Sequence, residues 1–170
     1  MKGMKREIVK YGAKVLTEKA SPVTEFDAAL EQLVADMFET MYDAPGVGLA
    51  APQVGVSRRL FVMDCSKEKN RQFVFINPEI LQTEGTQVGD EGCLSFPGIY
   101  FDVERAARVI VRAQNVKGEW FEGDFLDLEA RCVLHEYDHL QGDLFIEKAG
   151  LLRRELIRRK IQKLKREGKW

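Results

Sequence analysis

Histidine is nearly absent from this chain: 170 residues contain two, and they stand four apart. Cysteine is almost as scarce. Cys65, Cys93 and Cys132 are too few, and odd in number, which excludes a disulfide framework and fits a reducing compartment. No apolar run approaches the roughly 20 residues that span a bilayer, so no membrane-crossing helix and no membrane partner are expected. The basic N-terminus continues as Ile8-Val9-Lys10-Tyr11-Gly12-Ala13-Lys14, where lysines interrupt any signal core before it forms. The expected location is cytoplasmic. With five prolines and no Pro/Ser-rich or Gly-rich tract, nothing has the composition of a long linker, and no internal repeat is visible.

What is present describes an ordinary globular chain, 45% hydrophobic and 31% charged. A chain of this length buries about two-thirds of its unfolded surface, enough for one domain whose core needs neither metal nor disulfide merely to fold. The net charge of −1 conceals an asymmetry. Between Leu151 and Trp170 nine basic residues face two acidic ones, a surplus of seven positive charges that leaves the remainder at −8.

Thr24, with Asp27 three residues on, resembles a capping box ahead of Phe26, Leu30, Leu33, Val34, Met37, Phe38 and Met41 at helical spacing. This predicts an amphipathic N-terminal helix ending near Asp43-Ala44-Pro45-Gly46. After a Gly-rich loop, residues 59–64 and 71–76 read as strands, and residues 109–114 and 119–122 as a hairpin about Asn115-Val116-Lys117-Gly118. Asp127 is placed to cap a second helix through His139 to about Gln141, with Gly142 as its stop. A third helix runs from Leu151 to about Arg166, with Leu151, Leu152, Leu156, Ile157, Ile161 and Leu164 on one face. Without regular βαβ alternation the class is α+β, a single domain with antiparallel or mixed sheets around the second helix.

That second helix carries His135-Glu136-Tyr137-Asp138-His139. Residues four apart project from one helical face, so both imidazoles can share a metal with Glu136 beside them. Two helix histidines satisfied by ordinary hydrogen bonds would be the plain alternative, but both histidines of the chain fall in this one motif. A catalytic metal of this kind usually takes three protein ligands and leaves a position open. No third histidine exists. The motif runs on as Leu140-Gln141-Gly142-Asp143-Leu144-Phe145, which follows the metzincin pattern through Gly142 and then places Phe145 where that pattern has its third ligand. Glu147 and Glu155, the acids a gluzincin-like protease would use, lie in no supporting pattern.

The cysteines remain, and geometry sorts them. Cys132 is one turn before His135, but a metal between the two histidines would lie roughly 7 to 8 Å along the helix from it at 1.5 Å per residue. A cysteine side chain and a bond of about 2.3 Å do not cover that, so Cys132 is read as core packing. Cys65 ends a strand with nothing polar to suggest a site. Cys93 lies in Asp90-Glu91-Gly92-Cys93-Leu94-Ser95-Phe96-Pro97, a segment read as a loop that brings a thiolate and backbone amides to a ligand. The expected metal ligands are therefore Cys93, His135 and His139.

With these residues in view, the chain resembles the peptide deformylases. Three motifs carry the likeness: Gly46-Val47-Gly48-Leu49-Ala50-Ala51-Pro52-Gln53, Glu91-Gly92-Cys93-Leu94-Ser95, and His135-Glu136-Tyr137-Asp138-His139-Leu140. The likeness extends from about Ile8 to the C-terminal helix and includes Ile76-Asn77-Pro78-Glu79-Ile80. Read alone, Gly46-x-Gly48-x-x-Ala51 would mimic a dinucleotide fingerprint, but it follows a helix and precedes a strand, so no dinucleotide is expected. Some relatives carry an arginine shortly after the second motif. Here Gly98-Ile99-Tyr100-Phe101 has none.

The resemblance implies removal of the formyl group from N-formylmethionyl peptides, with one divalent ion: Fe²⁺ as the physiological metal, and Zn²⁺, Ni²⁺ or Co²⁺ able to replace it. It also implies a catalytic unit over residues 1–150 and a basic helix over 151–170 in the same domain, some relatives with such a helix docking at the ribosome. Glu136 would be general base and acid, and Gln53 and the Leu94 backbone N–H would help form an oxyanion hole. Val47 and Gly48 would form the substrate wall, Gly48 permitting close approach of a peptide backbone. A zinc endopeptidase and a non-catalytic metal module are the competing readings; Cys93 in its motif disfavours the first, and Glu136 the second.

Overall fold

The computed structural model describes residues 2–170. In chain order the elements are α1 (Ala28–Asp43), β1 (Gly48–Ala50), β2 (Leu60–Met63), β3 (Phe73–Glu84), β4 (Gln87–Cys93), β5 (Phe96–Arg105), β6 (Arg108–Gln114), β7 (Trp120–Leu126), α2 (Asp127–Leu140) and α3 (Leu151–Arg166). Single 3₁₀ turns stand at Lys14–Thr17, Ala51–Val54 and Phe145–Lys148. Five strands form a sheet in the order β1-β2-β3-β6-β7, and β4 and β5 form a separate hairpin. Every strand pairing is antiparallel.

β2 shows why the five-stranded sheet is the central layer. Leu60 and Val62 pack with α1 residues Leu30, Leu33 and Met37, whereas Phe61 and Met63 pack with Ala130, Cys132 and Val133 of α2. Alternate side chains of a strand point to opposite faces, so a strand covered by a helix on each side has to be apolar throughout, and all four residues are fully buried. A third cluster joins Phe96, Phe101 and Val103 of β5 to Phe145, Ile146 and two residues of α3, Ile157 and Ile161. α2 is thus enclosed by the sheet on one side and by the β4–β5 hairpin and Phe145 on the other.

The α+β class and the three helices agree with the sequence reading, with local corrections. Asp27, not Thr24, caps α1, its carboxylate accepting the Leu30 N–H at 2.9 Å. At α2 the N-cap position falls to Leu126, which cannot cap; Asp127 is the first helical residue, in left-handed backbone (φ 53°) that Asp tolerates better than most residues. β3 does not stop at Ile76 but continues past Pro78 to Glu84, because the register shifts between Ile76 and Glu79 and a proline is tolerated at such an irregularity. Cys93 does not lie in a loop. It is the last residue of β4, paired with Phe96 across the two-residue connection Leu94-Ser95. On α3, Ile157 and Ile161 are buried, but Leu151, Leu152 and Leu156 are not, with Leu151 80% exposed.

Candidate metal centre

α2 delivers His135 and His139 from one face, both nearly inaccessible, and the end of β4 brings Cys93 to meet them. One donor atom from each of the three lies within 4.8 Å of the others, and Cys93 Sγ is 3.4 Å from His139 Nε2. Among the described residues this is the one group of three such side chains so close together. Two imidazoles and a thiolate suit a first-row divalent ion, and soft sulfur beside nitrogen suits iron or zinc better than magnesium or calcium. Cys132 stands apart from the group: its thiol faces the Val47 carbonyl oxygen at 3.6 Å.

His135 is oriented from behind. Its Nδ1 lies 2.5 Å from Glu91 Oε1, which leaves Nε2 for the centre. Arg105, 7% exposed, donates to Glu91 Oε1 at 2.6 Å and to Asp138 Oδ2 at 2.6 Å. Burial alone would raise the Glu91 carboxyl, but hydrogen bonds from His135 and Arg105, and their charges, hold it well below the usual carboxylate range. For His135, burial favours the neutral ring, yet hydrogen bonding with Cys93, the Glu136 charge and Glu91 together push its pKa well up. Burial and the nearby positive charge of His135 push His139 down, toward the neutral imidazole that ligation needs.

Glu136 is the fourth component. It is 3% exposed, and its Oε1 is a buried oxygen without a hydrogen-bond partner, 4.0 Å from His139 Nε2. An orphaned carboxylate oxygen at such depth is costly unless something else occupies the space beside it, and here it borders the donor cluster. Burial lifts its pKa to about 7, with His135 opposing and Glu91 adding to the rise. Its second oxygen faces β1: a Cβ on Gly48 would stand 2.6 Å from Cys132 Sγ and 2.8 Å from Glu136 Oε2. The glycine therefore lets α2 approach the edge strand closely enough to seat the acid.

A cleft of about 570 Å³ opens over these groups, lined among others by Val47, Gly48, Gln53, Leu94, His135 and Glu136. Gln53 is buried; its Oε1 accepts the Ala50 N–H at 2.9 Å and its Nε2 lies 3.2 Å from Ser95 Oγ and 3.7 Å from Cys93 Sγ. Leu94 packs against Gly46. Tyr100, in the segment that lacks an arginine, lies across Gly92 and is 65% exposed at the rim.

All eight residues singled out from the sequence border this one region. The support around them was not foreseen: Glu91 and Asp138 lay inside quoted motifs without a role, and Arg105 lay in none. A signal existed for Arg105. Ile99, Phe101 and Val103 alternate along β5, which places Arg105 on the same buried face, and an arginine there demands acidic partners.

A motif helix of two imidazoles with a buried acid between them, completed by a thiolate from a strand end and opening on a cleft, defines a metallohydrolase. The model of the polypeptide deformylase family matches residues 5–155. The peptide deformylase of Acidobacterium capsulatum is 53% identical over 98% of this chain and 99% of its own length, and that of Alkalilimnicola ehrlichii 51% over 96% and 92%. The crystal structure of a peptide deformylase from Legionella pneumophila superposes with a TM-score of 0.92 at 46% identity, over 97% of this chain and 98% of that one. The chain belongs to the polypeptide deformylase family.

Proposed function

We propose that this chain hydrolyses the N-formyl group from the terminal formyl-methionine of newly made polypeptides, releasing formate and a free α-amine. The observation that carries the reading is the convergence of Cys93, His135 and His139 beside the unpartnered Glu136 oxygen in the floor of the cleft. The three donors would hold one divalent ion, Fe²⁺ in the cell by family likeness, with Zn²⁺, Ni²⁺ or Co²⁺ as substitutes. When bound, such an ion polarises a carbonyl and acidifies water.

Glu136 takes the proton of the attacking water and returns it to the leaving nitrogen, a task suited to a carboxyl whose pKa lies near the working pH. The carbonyl oxygen, as charge develops on it, takes hydrogen bonds from the Gln53 amide and the Leu94 backbone N–H. Support comes from the place of Gln53 Nε2 between Cys93 and Ser95, and from Leu94 directly following the thiolate. β1 is an edge strand and β4 pairs only with β5, so each has one unpaired backbone edge, and both line the cleft near Val47, Gly48 and Gly92. An extended peptide end can pair there as an added strand.

Residues 151–170 complete the same domain that residues 1–150 build, through Ile157 and Ile161, and their outward charge serves docking to ribosomal RNA where formylated chains emerge. No helix of the described residues is long and apolar enough to cross a membrane, and a cytoplasmic setting follows from the nascent substrate. The test is formate release from a formyl-Met peptide by iron-loaded and zinc-loaded chain. Full metal occupancy without formate release would reject the reading, and cleavage of an internal peptide bond would favour an endopeptidase.

A further inference from the structure

The donor set comes from two pieces of chain that belong to different sheets or layers: Cys93 from the β4–β5 hairpin and both histidines from α2. What holds these pieces in register decides whether three donors meet. Glu91 stands two residues before Cys93 on β4, and Arg131 stands four residues, one turn, before His135 on α2. Arg131 Nη1 donates to Glu91 Oε2 at 2.8 Å, while Glu91 Oε1 lies on His135 Nδ1 at 2.5 Å. One carboxylate of the hairpin thus touches two successive turns of the helix.

The same guanidinium nitrogen also donates to the Val103 carbonyl oxygen on β5 at 3.0 Å. Val103 is the cross-strand partner of Gly89, and a Cβ at Gly89 would lie 3.2 Å from Arg131 Nη2. The guanidinium therefore lies over the Gly89–Val103 pair, in space that a side chain at Gly89 would contest. Arg131 is only 7% exposed. A cation so deeply placed is retained at a desolvation cost, and its bonds go to the strand carrying Cys93 and to that strand's partner.

We propose that Arg131 is a positioning residue of the metal centre, registering the hairpin that carries Cys93 against the helix that carries His135 and His139. The inference rests on reading those three as ligands. Arg105 supplies a second tie, from β5 to Asp138 on α2 at 2.6 Å, so loss of Arg131 loosens the donor set without dispersing it. Lysine does not replace it. Both bonds leave one nitrogen, Nη1, whose N–H directions are fixed by the planar guanidinium lying over the Gly89–Val103 pair, whereas an ammonium on a flexible stem has no such fixed orientation.

The experiment titrates cobalt(II) into the unmodified chain, Arg131→Met, Arg131→Lys and Gly89→Val, reading the dissociation constant by chelator competition and the cobalt–thiolate absorption band. Outer-shell partners of metal ligands typically change affinity about 10- to 100-fold, and that weakening, with a shifted band, is expected for Arg131→Met and not rescued by Arg131→Lys. Gly89→Val keeps the arginine but crowds it off the ladder, so it moves affinity the same way and decides the matter should Arg131→Met fail to fold. A folded Arg131→Met, or failing that Gly89→Val, with unchanged affinity and band would overturn the inference. If the unmodified chain bound no cobalt, the ligand reading would fall and this inference with it.

Discussion

Helices α2 and α3 are near equals in length, 14 and 16 residues, and both are rich in charge, yet they use charge in opposite ways. In α2, Arg131, His135, Glu136 and His139 are buried, and Arg131 and His135 share the Glu91 carboxylate. In α3 only Ile157 and Ile161 are buried, and most of the basic residues face water. A charge taken out of water has to find a partner or shift its pKa, so α2 carries an interlocked set in which Arg131 is paired with Glu91 and His135, Glu136 and His139 have shifted pKa values. A charge left in water is screened and nearly free to change. Substitutions should therefore act on chemistry and fold in α2, and in α3 only through two isoleucines.

The strongest way to break this contrast is at Glu136. Glu136→Ala removes the proton carrier and leaves all three donors, so turnover of a formyl-Met peptide should fall by about 10²- to 10⁴-fold, the usual contribution of a general acid–base group. Metal content, measured by atomic absorption, should stay at the unmodified level. Wild-type turnover in this variant would remove Glu136 from the mechanism.

Glu91 tests the buried charge as a structural element. Glu91→Gln leaves Arg131 without a carboxylate, Arg105 with Asp138 alone and His135 without its anionic partner, a break that costs about 3–5 kcal/mol in buried pairs. The pH dependence has a definite sign. Because its folded pKa is depressed, Glu91 contributes stability that is fully present above the ordinary glutamate range and is lost as pH falls through the folded value. Thermal melts of the unmodified chain should therefore fall steeply in acid, and those of Glu91→Gln should start lower and fall less. Parallel curves would mean that Glu91 is not responsible.

How far the chain could be read without its structure follows the same division. His135, Glu136 and His139 were legible because helical periodicity fixes what residues three and four apart share, and Cys93 followed once the helix geometry had removed Cys132. The hairpin that presents Cys93 was not legible. Gln87–Cys93 is poor in β-branched residues and contains two glycines, and its strand is specified by pairing with β5 rather than by its own preference. For Arg105 the alternation along β5 could signal burial, but its partners could not be read, since Glu91 and Asp138 lie 14 and 33 residues away. The apolar face of α3 was over-read, because a stripe can be identified from spacing while the neighbour that would cover it cannot.

α3 offers a smaller effect on stability and an internal control. Ile161, 1% exposed among Phe96, Phe101 and Phe145, should cost about 2–5 kcal/mol as Ile161→Ala. Leu152, 77% exposed, should change stability by no more than about 0.5 kcal/mol as Leu152→Ala. Denaturant titration of both variants separates them. Equal losses would mean that the whole leucine face of α3 is covered in solution.

The smallest effect on the enzyme itself is expected from the basic surface. Arg153, Arg158, Lys163 and Arg166 are all exposed, none lines the cleft, and changing all four to Gln should leave turnover of a small formyl peptide as it was. Removing the whole helix is a poorer test, because it would also withdraw Ile157 and Ile161 from the third core cluster. If the tail docks on ribosomal RNA, affinity of the intact chain for ribosomes falls as salt rises. For every phosphate no longer neutralised, the log–log dependence should flatten by about 0.7 to 0.9. The fourfold variant should bind more weakly at low salt and with a shallower slope. Ribosome binding equal in strength and slope for the two proteins would reduce this face to a solvated end of the fold, while the contrast between α2 and α3 would stand unchanged.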